Sequence, residues 1–311
     1  MISFSPSAYT RPAISLVASP TKRQAILDLA VEAERRGFAG IACPSLGGTL
    51  GLCVSLAHAT STIPFWTSIQ PMYYSHPVEL GNTAAHIHEV SGGRFGLGIG
   101  VSHGPVVQRL GVATGKPLSD IANYVQAMRL NERFSGQLPQ IFLATLRDKM
   151  LALSTEVSQG AIWANASLRD ISRQVALVTP ITQEQFFMSN MVPTVISDDL
   201  DAAYAIHRKT LTGYVSLPNY RNYWRVAGYD KEMDNIESII ADTPKESLAK
   251  QLQQAMTDEW LRDCTISGNA AQVREQFSAW AQAGVLPIAV MSSTSGGQAK
   301  AVAELFAAFD S

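Results

Sequence analysis

Cysteine is scarce. The chain has three, Cys43, Cys53 and Cys264, an odd number that shares no metal-ligand spacing. A disulfide framework and a thiolate-held metal are therefore not expected, and free thiols in a reducing compartment such as the cytosol are. Charge is scarce as well. Asp, Glu, Lys and Arg make up 16% of the 311 residues, and 24 basic against 26 acidic side chains leave a net charge of −2. Such a balance offers no basic surface for nucleic acid or an anionic membrane, and neither is expected as the main partner. Long apolar runs are missing, which excludes an expected membrane span. The opening stretch, MISFSPSAYTRP, lacks the charged and apolar regions of a secretory leader, and none is expected. No HExxH, GxSxG, Walker A or paired-cysteine motif occurs. His86 and His88 stand two residues apart, which places them on different helix faces and argues against a metal site.

What is present is a rhythm. AISLVAS, 13–19, reads as a buried strand. Residues 21–36 then carry Ile26, Leu29, Ala30 and Ala33 on one side and Glu32, Arg35 and Arg36 on the other, the spacing of a helix, with Thr21 as its N-cap and Gly37 just past its end. Further strands are predicted at 38–43, 65–69, 95–100, 140–145, 161–165, 192–197 and 286–291. Helices are predicted between them at 50–60, 77–90, 118–133, over Leu146, Met150, Leu153 and Val157, at 168–178, from Asp198 and Asp199 onward, and over Val273, Phe277 and Trp280; a last helix carries Val302, Leu305, Phe306 and Phe309. Residues 213–262 break the rhythm; they are loop-like around LPNYRNYW with helical patches after it, and read as an insertion or lid. Strands that are apolar throughout imply a parallel sheet with both faces covered. Eight such units close naturally into a (β/α)8 TIM barrel, an α/β fold, with an open doubly wound sheet as the rival.

The densest motif is SGGRFGLGIGVSHGP, 91–105. Its glycines precede and occupy a strand, whereas a dinucleotide fingerprint needs them between strand and helix. Gly98 and Gly100 can serve either to let a flat cofactor lie against the backbone or to relieve a crowded interior. His103, just past the strand, is either a proton donor or a loop histidine bonded to backbone. Ala144-Thr145-Leu146-Arg147-Asp148-Lys149 runs into a helix start, where free N–H groups and Arg147 suit a phosphate, unless it is a solvated helix end. Asp120 and Glu79 read as helix-terminus charges.

Taken in order, these segments resemble the bacterial luciferase-like family of flavin and deazaflavin oxidoreductases. FWTSIQPMYYSHPVEL followed by SGGRFGLGIG supplies Thr67-Ser68-Ile69, His76-Pro77, Ser91 to Arg94 and Gly98 to Gly100. IFLATLRDKMLALSTEVSQGAIWAN, with Glu156 and Gly160 in register, resembles the fifth-strand segment, and GNAAQVREQFSAWAQAGVLPIAV the closing helix and strand. MVPTVISDDLDAA and LPNYRNYWRVAGY are similar to the subgroup that uses coenzyme F420.

The resemblance implies one barrel domain, often a homodimer, with the ring at the strands' C-terminal ends. It implies a non-prolyl cis peptide at Ser68–Ile69 behind the ring, ring contacts from Thr67, Ser68, Ile69, Gly98, Gly100, Val101 and Ser102, and a phosphate tail near Ala144, Thr145, Leu146 and Arg147. Trp163 and Asn165 would border the same pocket, and Tyr214, Tyr220, Tyr223 and Trp224 would suit a lid unless they pack inside. One departure stands out. Many deazaflavin members carry an Asp-His pair after the second strand, where this chain has Pro44-Ser45-Leu46. Ser45 can hydrogen-bond the ring, Leu46 cannot move a proton, and His103 is left as the best acid. The implied reaction is F420-dependent hydride transfer, reducing a C=C or C=N bond. The alternatives are an FMN-dependent monooxygenase and a catalytically silent ligand-binding barrel.

Overall fold

A computed structural model describes residues 10–179 and 186–310. The stretch read for a leader lies outside them over residues 1–9. The chain divides into two compact units, Met1–Trp163 with Ala176–Ser189, and Ala164–Val175 with Asn190–Ser311.

The first unit carries β1 (Ala13–Ser15), α1 (Arg23–Arg35), β2 (Ile41–Cys43), α2 (Thr49–Ala59), β3 (Phe65–Thr67), a short β4 (Gln70–Pro71), α3 (Pro77–Val90), β5 (Phe95–Gly100), α4 (Gly104–Leu110), α5 (Pro117–Ser135), β6 (Gln140–Ala144), α6 (Asp148–Val157) and β7 (Gly160–Ala164). β1, β2, β3, β5, β6 and β7 are neighbours in that order and run parallel, with Ile41 opposite Phe65, Phe65 opposite Phe95 and Gly98 opposite Phe142. Parallel neighbours require a crossover, and the helices supply it. α3 starts where His76-Pro77 predicts, with Pro77 in its first turn and His76 Nδ1 accepting the Val78 N–H at 3.3 Å. Thr21, read as the N-cap of α1, instead sits in the preceding turn at φ 66°, and the helix begins at Arg23. Leu146, read into a helix, precedes α6.

One face of these strands is filled by aromatic rings. Phe187, which opens β8 (Phe187–Ile196), meets Trp66 edge-on at 5.2 Å between centroids and Phe142 at 4.6 Å. Glycine makes the room. A Cβ on Gly96 would lie 2.5 Å from the Phe142 ring, one on Gly160 2.6 Å from the same ring, and one on Gly98 2.0 Å from the Thr67 carbonyl oxygen. Interior crowding is thus the physical reason for Gly96 and Gly98.

Arg94 of the SGGR run acts as a clamp. Its buried guanidinium donates to the carbonyls of Ala57, Thr60, Ile63 and Ser91 and to the Thr60 hydroxyl, at 2.8–3.1 Å. The end of α2 is thereby tied to the start of β5. The Glu34 carboxylate accepts the N–H groups of Ser61, Thr62 and Ile63 beside it.

The second unit takes up β8 and adds α7 (Leu168–Ala176), α8 (Leu200–Val215), α9 (Pro218–Val226), α10 (Asp230–Asp242), α11 (Lys245–Ala255), α12 (Asp258–Cys264), β9 (Ile266–Gly268), α13 (Ala270–Gln282), β10 (Leu286–Ser292) and α14 (Gln298–Asp310). Asp199 caps α8 by accepting the Ala202 N–H at 2.9 Å, as its position predicts. LPNYRNYW, read as loop, is α9: Tyr220, Tyr223 and Trp224 fall at the i, i+3, i+4 spacing of one helix face and are buried. β9 escaped the sequence reading because three residues carry no periodicity; it pairs in parallel with β8, Thr194 opposite Ile266.

Two stability outcomes follow from this packing. Gly98→Ala is expected to destabilise by about 3 kcal/mol, because its neighbour is backbone and cannot yield. Gly51→Ala, with nothing within 4 Å of the added carbon, should be neutral or stabilising. Urea unfolding midpoints decide, and equal midpoints for the two variants would contradict the packing argument. Arg94→Lys keeps the charge but loses the fork, and should cost about 2 kcal/mol or more in the same assay.

Candidate active site

Parallel strands deliver their C-terminal ends to one edge of a sheet, where loops can gather functional groups. In the first unit that edge holds Ser45 after β2, Ser68 and Ile69 after β3, Val101, Ser102 and His103 after β5, and Thr145, Leu146 and Arg147 after β6. Of the residues that the resemblance sets around the cofactor, Asn165 belongs to the other unit, as do Tyr214, Tyr220, Tyr223 and Trp224 of the expected lid.

The Ser68–Ile69 peptide is cis, as the resemblance implies. The end of β3 is fastened on both sides. Ser68 N–H donates to the Cys43 carbonyl at 2.8 Å, and the Thr67 hydroxyl donates to the Gly98 carbonyl at 2.6 Å. Thr67 is fully buried and so engaged, which makes it a support for the edge. Beyond it, Ile69, Gly100 and Ala144 adjoin: a Cβ on Gly100 would lie 3.0 Å from Ile69 Cδ1 and 2.7 Å from Ala144 Cβ.

Two hydroxyls at this edge are buried without a hydrogen-bond partner, Ser68 Oγ and Thr145 Oγ1, in residues 5% and 4% exposed. Each such group costs about 1–3 kcal/mol of desolvation that is not offset. Both can donate and accept, so a ligand with a carbonyl or imide edge would satisfy them.

His103 occupies the N-cap position of α4 but makes no capping bond with its side chain; its backbone carbonyl receives the N–H groups of Val106 and Val107. The ring is half-buried, and burial lowers its pKa below the ordinary 6.5. The imidazole is therefore mostly neutral at pH 7 and better suited to take a proton than to hold one in reserve. Ser102 turns the chain there at φ 63°.

Ser45 is half-buried, and Leu46 is 59% exposed. Their loop is set by Leu46 N–H to the Pro44 carbonyl at 2.7 Å and Thr49 Oγ1 to the same oxygen at 2.6 Å. Arg147 is exposed and stands at the N-cap of the ten-residue α6. Asp148 puts a carboxylate in the first turn, so an anion at this helix start would rely on Arg147 and Lys149 for its charge balance. Trp163 is fully buried. Its neighbour Ile162 lies against Gly98, so strand alternation turns Trp163 to the opposite face, behind the strand. Asp120 does more than terminate a helix: Oδ2 accepts both the Tyr73 hydroxyl and the Gly115 N–H at 2.7 Å, and burial, with that carboxylate, pushes the Tyr73 pKa up to about 12.

In the second unit Asn165 is held in the left-handed region at φ 55°. Its N–H donates to the Met191 carbonyl at 3.0 Å, its carbonyl accepts Trp224 Nε1–H at 3.2 Å, and its carboxamide meets the Tyr214 and Tyr220 hydroxyls. The aromatic residues read as a lid thus brace Asn165 within their own unit.

One polar residue went unnoticed in the sequence. Ser189 in β8 is fully buried with its hydroxyl unpartnered. The strand was expected to begin at 192, because Ser189 and Asn190 interrupt the apolar run; the signal available was the alternation of Phe187, Ser189 and Met191. The three cysteines are free and buried. Among the described residues no cluster of His, Cys, Asp and Glu could hold a metal ion, and no helix is long and apolar enough to cross a membrane.

Comparison with known proteins agrees with this geometry. The model of the luciferase-like monooxygenase family matches residues 3–286. The Mycobacterium tuberculosis protein Rv3520c, which carries the name of a coenzyme F420-dependent oxidoreductase, is 23% identical over 298 residues, covering 80% of this chain and 83% of its own. Among solved structures, the coenzyme F420-dependent tetrahydromethanopterin reductase of Methanopyrus kandleri superposes with a TM-score of 0.73 at 15% identity over 95% of this chain and 97% of its own. An F420-dependent secondary alcohol dehydrogenase gives 0.67 at 13% identity over 96% and 98%. The FMN-bound oxygenating constituent of 3,6-diketocamphane monooxygenase of Pseudomonas putida gives 0.60 at 14% identity over 96% of each. The fold is the luciferase-like (β/α)8 TIM barrel, and the chain belongs to the luciferase-like monooxygenase family of flavin- and deazaflavin-dependent oxidoreductases.

Proposed function

We propose that this chain is a coenzyme F420-dependent oxidoreductase acting on a small organic molecule whose C=C or C=N bond is reduced. The observation that carries the reading is the pair of buried, unpartnered hydroxyls, Ser68 Oγ and Thr145 Oγ1, at the C-terminal ends of β3 and β6 on either side of the glycine strand β5. A planar heterocycle with a carbonyl edge fits that donor set. The name of the M. tuberculosis relative supports F420 over FMN.

Bound deazaflavin would supply the ring carbon that gives or takes hydride. The remaining work belongs to the chain. Ser68 and Thr145 orient the ring edge by hydrogen bonds, Ile69, Gly100 and Ala144 offer it a low surface, Ser45 adds a polar contact, and Arg147 with Lys149 balances the charge of a phosphate tail. His103 moves the proton at its imidazole nitrogen. As a neutral base it serves the oxidising direction, and it must first be protonated to serve the reducing one.

The cofactor assignment is tested by titrating purified protein with F420 and, separately, with FMN, following cofactor fluorescence. Saturable binding of F420 with none of FMN is expected. Binding of FMN alone favours the monooxygenase reading, and binding of neither by folded protein favours a silent barrel. For His103 the expectation concerns pH. The reducing rate should fall as pH rises through a pKa below 6.5, and the oxidising rate should rise through the same value and then level off. His103→Ala should lower turnover about 100-fold with cofactor affinity unchanged. Unaltered turnover or an unaltered pH profile in that variant would remove His103 from the mechanism.

A further inference from the structure

We infer that the apolar face of α4, formed by Val106, Val107 and Leu110, receives the hydrocarbon body of the substrate. This names a substrate class for the site proposed above, and it rests on that reading.

The register of the strands fixes where α4 stands. Pro71 of β4 pairs with Gly100 of β5, so the two strands end level with one another. The chain leaves β4 through the turn Met72–Tyr74, and α4 packs on that turn. It leaves β5 through Val101, Ser102 and His103, and α4 begins at the next residue. The helix is thus held from two sides just past the level of Gly100, where Ile69 and Ala144 adjoin. All of these residues belong to the first unit.

α4 has two unlike faces but lacks the burial that such a helix normally has. Val106 and Val107 stand four and three residues before Leu110 and share a face with it, while Gln108 and Arg109 fall outside that face. None of the seven residues is buried, and neither is any other residue from 101 to 120. Each other α-helix whose whole length lies in the unit buries at least two residues, Leu151 and Ser154 in the ten-residue α6. So short a helix is not stable by propensity and draws its stability from covering an apolar face. Here Leu110 is 41% exposed, and Tyr74, on the turn that α4 packs on, is 48% exposed. Apolar side chains gathered in the open beside a site, rather than scattered singly, mark a binding surface. Val106, Val107 and Leu110 carry no charge and no side-chain hydrogen-bonding group, so the complement they fit is an alkyl or aryl group. The reacting bond of such a substrate would lie toward Gly100 and His103.

The test uses the full chain and Nile red, an uncharged apolar dye, titrated by fluorescence into cofactor-free and F420-loaded protein. The double variant Val107→Thr, Leu110→Gln should melt at the wild-type temperature, since neither residue is buried. It should bind the dye about five- to tenfold more weakly in both states. Phe134→Gln serves as the control. Phe134 is 75% exposed near the end of α5, beside the start of β6 and so at the opposite edge of the sheet, and its loss should leave dye affinity unchanged. No weakening by the double variant, or equal weakening by the control, overturns the inference. A fall of several degrees in the melting temperature of the double variant overturns it too, by showing that the face is packed within the chain. So does a wild-type dimer that the double variant turns into a monomer, which would make a second copy the occupant. If F420 fails to bind, the reading beneath falls and with it the ligand's role as substrate, while the cofactor-free titration still shows whether α4 receives an apolar molecule.

Discussion

The close approach of β3 to β5 at Gly98 is the constraint from which the rest of the site follows. With no side chain at 98, the Thr67 carbonyl can press against the neighbouring backbone, and the Thr67 hydroxyl can reach the Gly98 carbonyl at 2.6 Å. That contact fixes where β3 ends, and the Ser68 N–H bond to Cys43 fixes it from the other side. Everything offered at the edge, from Ile69 to the Ser68 hydroxyl, is placed by those two bonds. Below them, Trp66, Phe142 and Phe187 fill the space that Gly96 and Gly160 vacate.

Stability and function pull apart within this layer. Some buried polar groups are fully met: Arg94 meets five acceptors, and the Glu34 carboxylate accepts three successive backbone N–H groups. The hydroxyls of Ser68, Thr145 and Ser189 are not, nor in the same unit are Ser75 Oγ and His88 Nδ1. Local rules broken without a compensating contact are where a fold departs from its own stability optimum, and such departures concentrate at functional sites.

Much of this was legible in the sequence, for reasons that can be named. α3 and β5 were read to the residue because Pro77, Ser91-Gly92-Gly93 and an uninterrupted apolar run mark their ends. The cis peptide came from motif order, since no pattern of apolar and polar residues encodes it. β9 was invisible at three residues, and β8 was read late because polar residues at 189 and 190 broke the run that a strand is recognised by. α9 was misread for a different reason: its aromatic and asparagine content looks like loop, although Tyr220, Tyr223 and Trp224 already held helical spacing. The environment of His103 could not be read at all, because burial, and with it the direction of a pKa shift, is a property of the folded chain.

The proposed bed of the planar redox heterocycle is the C-terminal edge of β2, β3, β5 and β6. A crystal structure of the protein with coenzyme F420 tests this placement. The tricyclic ring is expected in van der Waals contact with Ile69, Gly100 and Ala144, with Ser68 Oγ and Thr145 Oγ1 within hydrogen-bond distance of polar atoms of the cofactor. A ring bound elsewhere, with those two hydroxyls still unpartnered, would contradict it.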